Sequence, residues 1–499
     1  MQPSGQNRTD GHPAATVQVA RSPRGSVAAA HPHATTAAAD LLRSGGSAVD
    51  AAVAAQAVIC VLMPQAAGLG GDVLALVHDG GRVHAVNGTG ASPAGLSRPL
   101  AMTGGGSVTV PGLVDGWLTL HERWGRLPLA TVLSAAIEAA EQPLEIEPSL
   151  RAAVRAQRAR LESGGAAGWA LLQAVDQHDR AVWRQPELAA LLHSIAAHGR
   201  DAFYTGKSAA AIVAATASRG GELIVDDLET NTTPCPDPIS VRWASGGAHV
   251  QPPSSQGILL AMALQRVRTL LATGIDADDH VLVEVVGAAF AHRSSCHSGH
   301  QLLGLPLHVD LHRASGRGGP RAYLHTAGVA AADASGLVVS SLVSVFDDFG
   351  SGVYVPELGV VLNNRAAGFT DGANAPGPGK RPVHTLAPAM LTDDRGVHAL
   401  ATPGADGQVQ TLLQVLARTA CGTSLSDAVA ALRWRSQDGE LLVEQGHPAA
   451  EVLTSKGHRV RFRPPGDDVF GAVVAAGTDA ETTYAVADWR RQTHARGVE

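Results

Sequence analysis

Cysteine is scarce in this chain: among 499 residues there are four, Cys60, Cys235, Cys296 and Cys421, and no CxxC pair. Residues so far apart describe free, mostly buried thiols in a reducing compartment, not a disulfide-stapled scaffold. Aromatic side chains make up only 4% of the sequence, so close packing has to come from the abundant alanine and glycine. Positive charge is short as well. A formal net charge of −7 gives no reason to expect nucleic acid or an anionic membrane as a partner. Met1 to Gly25 carries Arg8 and Arg21 but no apolar stretch, so no signal peptide is expected there. The longest largely apolar run, Ala51 to Met63, is too short to span a bilayer and stops at Pro64, so it reads as a buried helix. Internal repeats and coiled-coil heptads are lacking too. The default is a cytoplasmic protein.

What remains is globular. Hydrophobic residues reach 45% and charged residues 17%, over a length that suits several ordinary domains or one large layered one. Residues 1–26 read as a disordered tail, with the first ordered element near Val27. A short helix over Ala34 to Arg43 is stopped by Gly45-Gly46. Ser47 then resembles an N-cap, with Asp50 three residues on as the reciprocal half of a capping box for the Ala51–Met63 helix. The glycine loop Gly68-Leu69-Gly70-Gly71-Asp72 feeds a strand over Val73 to His78. It is no dinucleotide fingerprint, because no helix follows and the GxGxxG spacing is missing. It is either a tight turn or a place where backbone comes close to a ligand. Alanine-rich helices fill much of Thr131 to Gly199, and another follows Pro252 to Gly257. Ala387–Leu391 and Val397–Ala401 form a β-pair that ends at Thr402-Pro403-Gly404-Ala405-Asp406-Gly407. A helix over Val409 to Ala420 begins there, so N–H groups at its start can face a developing oxyanion. Strands alternating with helices in this way indicate a sheet sandwich covered by helices.

Chemistry concentrates near one threonine. Thr326 opens an apolar strand, a turn follows at Ala334-Ser335-Gly336, and a second strand returns through Leu337 to Phe346. Upstream, Gly299 to Gly319 shows no clear period and reads as an exposed linker where a chain can be opened. A threonine freed as a chain end carries its own base, because its amine can take the proton from its own hydroxyl.

The ordered set of motifs resembles the γ-glutamyltransferases, self-processing N-terminal-nucleophile hydrolases. The resemblance rests on His31-Pro32, Gly45 to Ala52, Gly68 to Gly71, Val108 to Gly112, Phe203 to Gly206, Gly220 to Leu228 and Pro252 to Gly257. It continues through Phe349-Gly350-Ser351-Gly352, Gly359 to Asn364, Lys380-Arg381-Pro382 and Pro403-Gly404, nearly the whole chain in family order. It implies an α/β fold, the four-layer αββα Ntn-hydrolase sandwich, as one compact unit. It implies cleavage between His325 and Thr326 into a large region, 27–325, and a small region, 326–499, that stay together. Thr326 takes the nucleophile's place, Ser344 that of the supporting hydroxyl, and Gly404 and Ala405 that of the oxyanion-hole amides. Asn364, Arg365, His384 and Thr385 are the residues expected to read the substrate. No cofactor is implied. The expected partners are a small-molecule substrate, the two fragments for each other, and a second copy of the cut unit in a homodimer of heterodimers.

The departures bear on substrate. A glutamyl site needs an arginine for the α-carboxylate, and the corresponding stretch, Asn87-Gly88-Thr89-Gly90, has none. The carboxylate that holds the α-amino group falls on Gly368, and its asparagine partner on Phe346. Bond-breaking groups are kept while the glutamyl clamp is missing, so glutathione is not the expected substrate. Two reactions remain open within the enzyme class: amide hydrolysis, as in glutaryl or cephalosporin acylases, and C–C cleavage next to an oxalyl group, as in alkylproline antibiotic pathways. Two readings of other classes also stand. His292, Cys296 and His300, with His297 beside them, have the spacing of zinc ligands on one helix face, and the Ala327-Gly328 flank leaves room for an uncut, non-catalytic scaffold.

Overall fold

The computed structural model describes residues 16–177, 181–317, 326–480 and 482–499. In chain order the strands of its two main sheets are β1 (Gln18–Ser22), β2 (Gly25–Ala29), β3 (Asp72–His78), β4 (Val83–Gly88), β5 (Ile239–Trp243), β6 (Gly246–Val250) and β7 (Ala327–Asp333). They continue with β8 (Val338–Ser344), β9 (Ala389–Asp393), β10 (Gly396–Ala401), β11 (Val474–Thr478), β12 (Thr483–Ala487) and β13 (His494–Gly497). One sheet runs β13-β2-β7-β8-β3-β4 and the other β1-β12-β11-β10-β9-β6-β5. Both are antiparallel throughout.

Side chains alternate between the two faces of a strand, and this splits each sheet between two cores. Val73, Ala75, Ala327, Val329, Val339 and Val343 face outward, onto the helices α1 (Pro32–Arg43), α2 (Ala48–Leu62), α3 (Leu113–Trp124) and α4 (Leu129–Glu141). Leu74, Leu76, Ala330, Ala332 and Leu342 face inward and meet Met390, Ala399, Ala401, Val474 and Ala476 of the second sheet. On its outer side the second sheet carries α5 (Gly257–Ala272), α6 (Asp279–Phe290) and α7 (Gly407–Ala420). The result is the expected four-layer αββα sandwich. Alanine dominates the inner layer, so few aromatics are needed to fill it.

The expected tail over 1–26 is too long. Gln18–Ser22 pairs with Thr483–Ala487, and Gly25–Ala29 lies between β7 and β13. The polar sequence of β1 concealed an edge strand, whose register partner comes from the far end of the chain. The regions 27–325 and 326–499 share both sheets. The four cysteines are free thiols, with Cys60 and Cys296 buried. Among the described residues no helix is long and apolar enough to cross a membrane.

The hairpin that follows Thr326 is fastened to the helical layer at its turn. The anticipated capping box is present, with Ser47 Oγ accepting from the Asp50 N–H at 3.0 Å and Asp50 Oδ2 from the Ser47 N–H at 2.9 Å. Asp333, the last residue of β7, accepts from the Ala48 N–H at 3.0 Å and the Ser335 N–H at 2.8 Å. Its buried carboxylate thus sits against the positive N-terminus of α2. Asp333→Ala, tested in an uncut Thr326→Ala background, is expected to lose roughly 2–4 kcal/mol by orphaning these donors. Urea unfolding measures it, and an unchanged midpoint would exclude Asp333 as a structural tie.

Candidate active site

Thr326 stands just before β7, one step beyond the Val343–Ala327 register pair, which places it beside Ser344. Thr326 Oγ1 lies 3.4 Å from Ser344 Oγ, and the threonine is only 4% exposed. Ser344 is in turn the register partner of Asp72 on β3. By strand parity Thr326, Ser344 and Asp72 all project to the inner face, at the end of the inter-sheet layer. The glycine loop makes this row fit. A Cβ on Gly71 would fall 2.4 Å from the Ser344 carbonyl oxygen, and one on Gly70 would fall 2.3 Å from that of Val361. The close approach these glycines allow is backbone to backbone, and it delivers Asp72.

Asp72 is the buried anion of the site, and sequence reasoning passed over it. Its Oδ2 accepts from Arg365 Nε at 2.9 Å and from His384 Nε2 at 3.2 Å. Burial would push the Asp72 carboxyl up, but the adjoining Arg365 guanidinium and the His384 N–H hold it below the ordinary carboxylate range. His384 Nδ1 accepts from the Leu386 N–H at 3.1 Å, which places the ring proton on Nε2. Burial, with Arg365 beside it, lowers the His384 pKa to about 4. Arg365 is 0% exposed, and its guanidinium lies 4.4 Å from the centroid of the Phe346 ring. Phe346 has φ of 84°, a left-handed backbone rare for a bulky residue, and its N–H donates to Ser344 Oγ at 2.9 Å.

The opposite wall comes from the second sheet. A Cβ on Gly328 would lie 3.2 Å from Ala401 Cβ, so the start of β7 touches the last residue of β10. Thr402 to Asp406 follow at once. In this loop Gly404 has φ of 119° and Ala405 φ of 48°, both left-handed. Gln256 Nε2 donates to the carbonyls of Thr385 at 2.7 Å and Ala405 at 3.0 Å, and Arg293 Nε to Asp406 Oδ1 at 2.9 Å. The loop is thereby held in a shape that helix propensity alone would not give.

The residues expected to read substrate divide. Arg365, His384 and Thr385 come together around Asp72 and the Thr402–Asp406 loop. Asn364 does not present its amide to a ligand. Its Nδ2 donates to Met102 O and Asp347 Oδ2, and its Oδ1 accepts from the Asp347 N–H. Both His384 ring nitrogens are likewise engaged, so it orients Asp72. His325 lies outside the described residues. Apart from Asp72, the sequence reading also missed Gln256 and Arg293; for Asp72 the only signal was that a buried arginine requires a carboxylate.

The zinc-ligand spacing fails. Arg293–Gly304 is 3₁₀ helix with a kink at Gly299 (φ 52°, ψ −128°), so fourfold spacing does not fall on one face. Cys296 itself is buried, and burial raises its thiol to about 12. Among the described residues a different trio, His280, Glu284 and His458, brings ligand atoms within 4.8 Å of one another. These atoms already hold one another and the chain. His280 Nδ1 bonds His458 Nε2 at 2.8 Å, and Glu284 accepts from the Ser315 N–H at 3.0 Å.

Known proteins resemble the chain over nearly its whole length. The gamma-glutamyltranspeptidase family model matches residues 34–498. The oxamate amidohydrolase proenzyme of Klebsiella pneumoniae subsp. pneumoniae is 32% identical, over 83% of this chain and 85% of that protein. An acylase ACY 1 proenzyme of a Pseudomonas species is 30% identical, covering 88% of both chains. The crystal structure of cephalosporin acylase from Bacillus halodurans superposes with a TM-score of 0.84 at 26% identity, over 100% of this chain and 99% of that one.

The His384 shift has a stability consequence. A folded-state pKa of about 4, below the ordinary 6.5, means that stability is whole above pH 6.5 and is lost as pH falls toward 4, where only the unfolded chain takes the proton. His384→Asn removes that titration. Its stability should fall less steeply between pH 6.5 and 4, by up to roughly 3 kcal/mol over the window. Denaturant unfolding across pH measures the difference, and parallel curves would show that His384 titrates normally.

Proposed function

The chain belongs to the gamma-glutamyltranspeptidase family, and from that membership we propose that it cuts itself between His325 and Thr326 and then hydrolyses an amide of a small molecule other than glutathione. The observation that carries the reading is the buried pair of hydroxyls, Thr326 Oγ1 and Ser344 Oγ, 3.4 Å apart at the head of a central strand. Once freed, the Thr326 amine has an ordinary pKa of about 7.7–8.0, close to working pH, and takes the hydroxyl proton as Oγ1 attacks the substrate carbonyl. The new C–O bond puts negative charge on the carbonyl oxygen. The Gly404 and Ala405 N–H groups face that charge, and each such donor contributes roughly 10²–10³ in rate. Collapse breaks the C–N bond, with the amine's proton passing to the leaving nitrogen. Water then attacks the Thr326 ester by the same route and releases the acid.

Several features support an amide substrate of this kind. The relatives include one named for oxamate hydrolysis and others named as acylases. Gly368 and Phe346 offer nothing for a glutamyl amino group, and Arg365 would repel one. A cytoplasmic setting and a pairing of two cut units complete the proposal, the pairing being readable by light scattering on a sizing column.

Intact mass measurement beside Thr326→Ala is the direct test. Wild type should give two pieces, the second beginning at Thr326, and the variant a single intact chain. Ser344→Ala should still fold but turn over roughly 10- to 100-fold more slowly, the effect of one hydrogen bond to the nucleophile. One uncut chain in both wild type and Thr326→Ala would sink the proposal and favour the non-catalytic scaffold.

A further inference from the structure

Arg365 is unusual among the buried groups of the site because its guanidinium is only partly engaged. Nε is bonded to Asp72, yet Nη1 and Nη2, both buried, have no hydrogen-bond partner among the described residues. Leaving two charged donors dry and unpaired is costly, and the burial depresses the arginine's pKa, offset in part by Asp72. The fork is fixed from three sides: by Asp72 at Nε, by the Phe346 ring against its face, and by Asn363 Oδ1, which accepts from the Arg365 backbone N–H at 2.9 Å. Two parallel N–H donors in one plane match the two oxygens of a carboxylate.

Two more arginines stand close by. Arg381 donates from Nε to the Thr89 carbonyl at 2.8 Å, and Thr89 follows the strand β4 residue paired with Val73, beside Asp72. Arg293 reaches Asp406 from the oxyanion side. Asp72 is shared between Arg365 and Arg381, Asp347 also faces Arg365 and Asp406 pairs with Arg293, so what is left over at the fork is hydrogen-bond donors, not net charge.

We infer that Arg365 is the receptor for a carboxylate on the substrate, and that the acyl group passed to Thr326 is short and anionic, as in the half-amide of a small dicarboxylic acid. The inference rests on Thr326 being the nucleophile. Such a half-amide places its neutral carbonyl at Thr326 and its charged end on Nη1 and Nη2. The reaction is then the hydrolysis already described: the C–N bond breaks, the Thr326 ester forms and is hydrolysed, and a dicarboxylate leaves with the freed amine. An α-ammonium group would face the same guanidinium and be repelled, which gives the absence of a glutamyl clamp a positive purpose.

The test uses the cut enzyme and ammonia release from oxamate, malonamate, succinamate and glutaramate, against acetamide, propionamide and butyramide. Wild type should favour at least one half-amide over its neutral counterparts by 100-fold or more in kcat/KM. In Arg365→Gln that ratio should collapse to within tenfold, and Arg365→Lys, lacking the fork, should restore it only in part. Because Arg365→Gln strands the Asp72 charge, the paired variant Asp72→Asn/Arg365→Gln is run beside it, with self-cleavage reporting that each has folded. Binding gives an independent reading. Oxalate, malonate, succinate or glutarate should raise the thermal midpoint of wild type and have no effect on the paired variant. Turnover of neutral amides with no charge preference, in an enzyme that has cut itself, overturns this inference alone. A chain that never cuts and turns over nothing overturns the Thr326 reading with it.

Discussion

A strand entered through a residue proposed to become a chain end must be held by everything except the peptide bond in front of that residue. The strand Ala327–Asp333 meets that constraint. Gly25–Ala29 pairs with one edge and Val338–Ser344 with the other, and Asp333 ties its far end to the helix Ala48–Leu62. Its inner face rests on Ala401 and Val474 through the gap left by Gly328. On the strand's own side each of these contacts lies after Thr326, while two of the partners, Gly25–Ala29 and Ala48, come from earlier in the chain.

The chemistry of the neighbouring row follows from the same layering. Antiparallel pairing sets Ser344 opposite Asp72, and parity turns both into the inter-sheet layer. A carboxylate in that position has to be compensated, and Arg365 and His384 converge on one of its oxygens from loops beyond the sheet. The neutral His384 and the cationic Arg365 have different tasks. The histidine completes the hydrogen bonding of Asp72, whereas the arginine has donors left over. Phe346, one of the positions that depart from a glutamyl-binding site, is in contact with Arg365.

The fold and the elements that carry the candidate site were legible because their signals are local. A capping box, a Pro-Gly loop before a helix and a threonine heading a hairpin can each be read within a dozen or so residues, and all three stand where expected. Asp72 was not legible, since its partners come from strands and loops far along the chain and its register cannot be read from periodicity. Asn364 misled for the same reason: its amide is closed around Asp347, a contact that no pattern in the sequence announces. The histidine spacing at 292–300 assumed an α-helical period that Gly299 breaks. The strand at Gln18–Ser22 was hidden by its own polarity, as edge strands tend to be.

The C-terminal strand His494–Gly497 lies on the outer edge of Gly25–Ala29, while Ala327–Asp333 lies on the inner edge. A strand of the first region is therefore clasped on both sides by strands of the second. Topologically the two pieces are interlaced, like fingers of two hands. Cutting the backbone opens one link without creating a surface along which the halves can slide apart, so they would part only by unravelling a sheet. Dilution should not separate them, and neither half has a complete sheet to fold around by itself. The enzyme would remain kinetically one molecule after becoming chemically two.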